Sequence, residues 1–249
     1  MHSTLKIYSF AVLLLAWIGL SLVFSPDILP GPIPVFAAIL DNLRSGDGFF
    51  HLYKTVSRVV LGLVLAMFLG TGIGLVMGLS RKGEIFFESW VMIGLTIPAV
   101  VYAIVCLLWF GLNEFAAIIA IGVTAFPAVA INMWQGVKDI DMQLVAMGKA
   151  FQLPLLDLVR KIVLPQTVPY VLAATRYALG ISWKIATTVE LIGMSSGVGY
   201  MLHYWFGLFS MTQVLAWTLT FIIVLLLIEY VLINPFEKRS TAWRPVVQV

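Results

Sequence analysis

Charge is what this chain has least of. Only 11% of its 249 residues are Asp, Glu, Lys or Arg, and 61% are hydrophobic. Soluble domains carry about 25% charged residues. Together with a mean hydropathy of +1.02, the deficit places the chain among all-α polytopic membrane proteins. A net charge of +3 gives no reason to expect a nucleic-acid partner. The single cysteine, Cys106, lies in an apolar run, so neither a disulfide framework nor a cysteine metal cluster is expected. His2, His51 and His203 are scattered, and no metal or other cofactor is expected in this chain. The sequence has no Ser/His/Asp grouping, no HExxH and no paired intramembrane carboxylates. It also lacks a GxxxxGK(S/T) phosphate loop, so it is read as a non-enzyme that cannot hydrolyse ATP by that means.

What is present is a series of long apolar runs. A helix crosses a bilayer with about 20 apolar residues, and six candidates meet that need. They run from Ile7 to Phe24, Val59 to Leu79, Trp90 to Phe110, Ala116 to Trp134, Val168 to Ile192 and Val214 to Asn234. The first follows Lys6 in the manner of a signal peptide. Its run is long for one, and no small-residue cleavage site follows, so a retained helix is expected. Lys and Arg fix the orientation. Lys6, Arg81, Lys82, Lys138, Lys149, Arg160, Lys161, Lys238, Arg239 and Arg244 fall on one side, with mainly Arg44 and Lys54 on the other. Both termini are therefore expected inside. Ile33 to Gly46 has helical spacing and suits the outer surface. Gly193 to Leu208 is glycine-rich and reads as a surface helix or a re-entrant element buried in protein. Residues 1–249 are read as one domain.

Gly70, Gly74 and Gly78 repeat every fourth residue, with Gly62 and Gly72 nearby. This spacing lets helices approach closely, either within the chain, which is favoured, or between subunits. Pro98 and Pro127 each remove a backbone donor inside a span, and the kinks this allows are either functional or tolerated. Arg176, Lys184 and Glu190 place charge at membrane depth, where it faces a wet path or pairs inside the bundle. Glu190 lies about 40° around the helix from Arg176 but roughly 21 Å along it. The two share a face without pairing. One alternative is a translocation path, and the other sends Arg176 to the inner interface and Glu190 to the outer one. Glu229 belongs near the inner end of the last helix.

The polar interruption from Gly136 to Pro165 carries Lys138, Asp139, Asp141, Lys149, Asp157, Arg160 and Lys161. Asp141 can cap a helix starting at Met142. That helix, Met142 to Phe151, presents Leu144, Val145, Met147, Gly148 and Phe151. Pro154 interrupts, and a second short helix is expected from Leu155 to Val163. Such a knob suits a groove on another protein, with a helix resting on lipid headgroups as the alternative.

The end of this loop, Ile162-x-Leu164-Pro165, resembles the cytoplasmic motif of permease subunits of ATP-binding-cassette importers. That motif reads Glu-Ala-Ala, three residues, Gly, nine residues, Ile-x-Leu-Pro. Here Ala146, Met147 and Gly148 stand in place of Glu-Ala-Ala, and Gln152 in place of Gly. Flanking segments are similar too. They include Ser57-Arg58-Val59, Leu79-Ser80-Arg81, Ile97-Pro98, Trp109 to Glu114, Phe126-Pro127, Gly136 to Asp141, Pro169-Tyr170, Arg176 to Gly180, Glu190-Leu191 and Gly197 to Tyr200. Their order resembles the nitrate/sulfonate/taurine branch of binding-protein-dependent permeases, from Leu29 to Ile233.

The resemblance implies a type I importer fold in the bacterial cytoplasmic (inner) membrane, and a small, anionic solute. It implies a second permease copy, two cytoplasmic ATPase subunits that bind the ATP and Mg²⁺, and an extracytoplasmic solute-binding protein. Met142, Val145, Ala146, Met147, Gly148, Phe151, Gln152, Leu164 and Pro165 would be the ATPase-coupling residues. Arg176, Lys184 and Glu190 would line the path. A stand-alone secondary transporter or channel is the rival reading, and the sequence shows no visible inverted repeat for it.

Overall fold

The computed structural model describes residues 2–233 and Pro235. Eleven helices account for most of them, and no strand occurs among the described residues. Helix α1, His2–Val23, contributes a shorter apolar stretch, Tyr8–Val23. Its Trp17 indole donates to Pro30 O at 3.1 Å, tying it to the start of α2, Pro32–Arg44. Val35, Ala38 and Ile39 of α2 pack with Ala216 near the outer end of the last helix.

The bundle is built on α3, Asp47–Leu79, and α6, Glu114–Lys138. The glycine stripe explains their close approach. A Cβ at Gly70 would lie 2.5 Å from Val129 Cβ, and one at Gly74 would lie 2.6 Å from Ala130 O. Gly62 and Gly78 meet Ile121 and Val137 of α6 in the same way. The stripe therefore packs within the chain. Gly72, off the stripe, faces open space. Opposite the stripe stand the larger Ile121, Val129, Met133 and Val137 of α6, whose side chains fill the space the glycines leave.

The two prolines behave differently. Pro98 ends a helix: α4, Arg81–Thr96, and α5, Ala99–Phe110, meet at 97°. The expected continuous third span from Trp90 to Phe110 is thus two helices. Pro127 stays inside an unbroken α6, with its ring against Gly94 of α4. Asn113 caps α6, its side-chain oxygen accepting from Ala116 N at 2.9 Å.

On the inner side, α7 spans Met142–Ala150 and α8 spans Leu155–Leu158. A π-helical turn, Val159–Val163, joins α8 directly to α9, Leu164–Gly193. Leu164 N–H donates to Val159 O, one residue further back than in an α-helix. The wider turn accommodates Pro165, which lacks a donor and would crowd a regular turn. The second short helix therefore does not stop at Leu164-Pro165 but runs on into the span, giving one helical rod from Leu155 to Gly193. α10, Val198–Gly207, bends away from α9 by 46°. α11, Met211–Ile228, continues through a second π turn, Glu229–Ile233. The expected end of that span at Asn234 lies outside the described residues, as do Lys238, Arg239 and Arg244.

Three helices, α3, α6 and α11, are long and apolar enough to cross a membrane, and two bent pairs raise this to five. The second span begins earlier than expected: α3 starts at Asp47 rather than Val59.

Candidate functional site

The hairpin 139–163 is held at many points. Asp141 caps α7, its Oδ1 accepting from Gln143 N at 2.8 Å and Leu144 N at 3.3 Å. Its own N–H donates to Gln166 Oε1 at 2.7 Å, and Gln166 Nε2 donates to Ile162 O at 2.9 Å. Tyr170 donates its hydroxyl proton to Asp139. Lys161 and Asp157 pair at 3.2 Å, one helical turn apart. At the base, Lys138 Nζ lies 2.6 Å from Glu84 Oε1 and 4.3 Å from the Trp134 ring centre. The end of α6 is thereby fastened to the start of α4.

The expected docking residues divide into two sets. Val145 and Gly148 are buried and form the hairpin's inner side, because a Cβ at Gly148 would lie 2.7 Å from Ile162 Cδ1. They are not on its surface. Phe151 follows α7 rather than belonging to it. Met142, Ala146, Met147 and Phe151 are exposed, and Phe151, Leu155 and Leu156 are exposed to 75%, 76% and 76%. Leu164 is exposed, whereas Pro165 lines a groove of about 310 Å³ with Leu144, Met147, Lys161, Ile162 and Gln166. Gln152 has φ 54°, in the left-handed region that favours glycine. The motif's usual glycine at this position has its physical reason in that angle.

The three charged residues of α9 do not form one site. Arg176 Nε lies 3.0 Å from Glu229 Oε1, joining α9 to the end of α11. Lys184 is exposed. Glu190 is 1% exposed and sits in a cluster at the outer end of the bundle. There Arg58, also 1% exposed, uses every guanidinium donor. It reaches Glu190 Oε1 at 2.6 Å, Glu114 Oε2 at 2.6 Å and Glu114 Oε1 at 2.9 Å. It also donates to Ser196 O at 2.7 Å and Ser196 Oγ at 2.9 Å. Glu190 Oε2 accepts from Thr55 Oγ1 and Gly199 N, each at 2.9 Å. Val198 N donates to Thr55 Oγ1 at 2.8 Å, and Gly197 N to His51 Nδ1 at 3.0 Å. The three amides that open α10 are thus all satisfied by side chains. Gly197, at φ 111°, has no room for a Cβ beside the Glu190 carboxylate.

From the sequence Glu190 stood out, but not its partners Arg58 and Thr55, nor Glu114, Ser196 and His51, which complete the cluster through Arg58 and Gly197. A signal existed: topology puts Arg58 and Glu190 at the same membrane face. Paired charges there satisfy one another, where an isolated one would be costly. Among the described residues, no group of three or more His, Cys, Asp or Glu could hold a metal ion.

Comparison with known proteins agrees with this architecture. The chain is 30% identical over 236 residues to the putative aliphatic sulfonates transport permease protein SsuC of Bacillus subtilis (strain 168), covering 94% of this chain and 85% of that one. It is 27% identical over 253 residues to the taurine transport system permease protein TauC of Escherichia coli (strain K12), covering 98% and 91%. A chain of the inward-facing MetNI methionine ABC transporter superposes with a TM-score of 0.65 at 18% identity, covering 76% of this chain and 94% of that one. That likeness establishes the fold. Residues 62–236 match the family described as the binding-protein-dependent transport system inner membrane component. The chain belongs to this family and is a multi-pass inner-membrane permease subunit.

Proposed function

We propose that this permease forms half of the solute path of an ATP-driven importer and takes its energy through the hairpin 139–163. Two copies of the chain would enclose the path. A cytoplasmic ATPase subunit under each would bind the ATP and Mg²⁺, and an extracytoplasmic binding protein would deliver the solute. The solute class is a small organic sulfonate or a related anion, as the names of the sulfonate and taurine permeases suggest.

One observation carries the coupling role: Phe151, Leu155 and Leu156 project, largely uncovered, from a hairpin that is itself firmly fixed. Fully burying a Phe or Leu side chain is worth about 1.5–3 kcal/mol. A rigid apolar knob in water therefore favours a partner groove. Its motion would pass along the rod from Leu155 to Gly193, roughly 58 Å long at 1.5 Å per residue. It would also pass through Lys138–Glu84 into α4, and the two routes together would tilt the spans around the path.

The test is capture of the ATPase subunit by the tagged permease. Replacing Phe151 and Leu155 together by Ser should abolish capture while leaving the melting temperature of the purified permease unchanged. Undiminished capture would remove the hairpin from the coupling interface.

A further inference from the structure

The break between α4 and α5 opens a cavity of about 330 Å³ whose polar lining comes from Thr96, Thr124 and Tyr177. A helix broken at membrane depth is tolerated where its backbone lines a cavity or is buried in protein. Tyr177 belongs to α9 and is 59% exposed. From it an uncovered face runs outward along that helix. Lys184 is seven residues on, almost in line with Tyr177 and about 10 Å further along the axis. Gly180 lies between them, exposed and with nothing near it. Thr188 continues the face, its hydroxyl turned back onto Lys184 O at 2.8 Å.

This face is unusual for a surface bathed in lipid. α9 is 30 residues long, roughly 45 Å, against a hydrocarbon core of about 30 Å. Lys184 lies nine residues, about 14 Å, short of its outer end. Centring the helix in the bilayer puts the Lys184 backbone about 6 Å inside the core. Lys184 makes no ion pair among the described residues, and no carboxylate lines the cavity. Arg58 and Arg176, by contrast, each have a carboxylate. Lys184 is thus a cation left over once the bundle's own pairs are made.

We propose that the Tyr177–Gly180–Lys184–Thr188 face is the wetted wall of the solute path, and that Lys184 makes the path prefer anions. The inference rests on the importer reading and sharpens it. Passage past Lys184 would select for negative charge within the membrane, in addition to any selection outside it.

Cysteine labelling of the assembled transporter in membranes tests the proposal without relying on transport. Cys106, the only cysteine, is first replaced by Ala. Gly180→Cys is then treated with water-soluble methanethiosulfonates carrying either a sulfonate or a trimethylammonium group. With each rate divided by that reagent's rate with a small thiol in free solution, the sulfonate reagent should be favoured by on the order of tenfold, corresponding to about 1.4 kcal/mol. The preference should vanish in Gly180→Cys with Lys184→Met and persist with Lys184→Arg. No labelling by either reagent would place this face against lipid or protein and overturn the proposal. Equal normalised rates, or a normalised preference that survives Lys184→Met, would overturn the role of Lys184. Failure of the importer reading would be seen separately, as absence of ATP-driven uptake by the unaltered protein.

Discussion

Arg58→Met should destabilise this protein more than any other single change at the outer end of the bundle. Arg58 makes five hydrogen bonds of 2.6–2.9 Å to three chain segments. Methionine fills similar space but leaves the Glu190 carboxylate buried with no cation beside it. Breaking a buried ion pair on one side costs about 3–5 kcal/mol. For a chain of this size each kcal/mol shifts the melting temperature by about 2–4 °C, so a fall of roughly 6–20 °C is expected. Glu190→Leu should cost less, because Arg58 keeps Glu114 and Ser196 as partners. The double variant should be more stable than the sum of the single effects implies, by about 0.5–3 kcal/mol. Tryptophan fluorescence of the detergent-purified protein, followed during heating, reads all three. A fall below about 2 °C for Arg58→Met, or strict additivity in the double variant, would refute the picture of a coupled buried cluster.

Gly74→Ala should lower stability by about 1–3 kcal/mol, since the new methyl meets the backbone oxygen of Ala130. Gly72→Ala, facing open space, should be neutral or slightly stabilising by the same thermal measurement. Gly148→Arg should disrupt the hairpin itself rather than its surface, because Ile162, Leu153 and Leu158 lie over that position. Limited proteolysis should then cut within residues 139–163 of the variant and spare the unaltered protein.

How much of this was legible in the sequence depends on the range of the interaction. Asp141 announced α7 because a cap acts within three residues, and the structure places the helix start at Met142 as expected. The glycine stripe was legible as a close contact, and α6 proved to be its partner. Pro98 and Pro127 look alike in sequence, yet only Pro98 breaks its helix. What distinguishes them is packing, since α3, α4, α5 and α9 surround α6. The cluster around Glu190 was least legible, because Arg58 is 132 positions away. The exposure of Lys184 and the burial of Gly148 likewise follow from tertiary contacts and not from local pattern.

Uptake of a radiolabelled sulfonate such as taurine into proteoliposomes would address the importer reading most directly. Three preparations are needed: the permease alone, the permease with its ATPase subunit, and both with the solute-binding protein outside. Uptake should require all three proteins and ATP inside the vesicles, and should collapse when Phe151 and Leu155 are both Ser. Uptake by the permease alone, driven by an ion gradient and indifferent to ATP, would instead establish a stand-alone transporter.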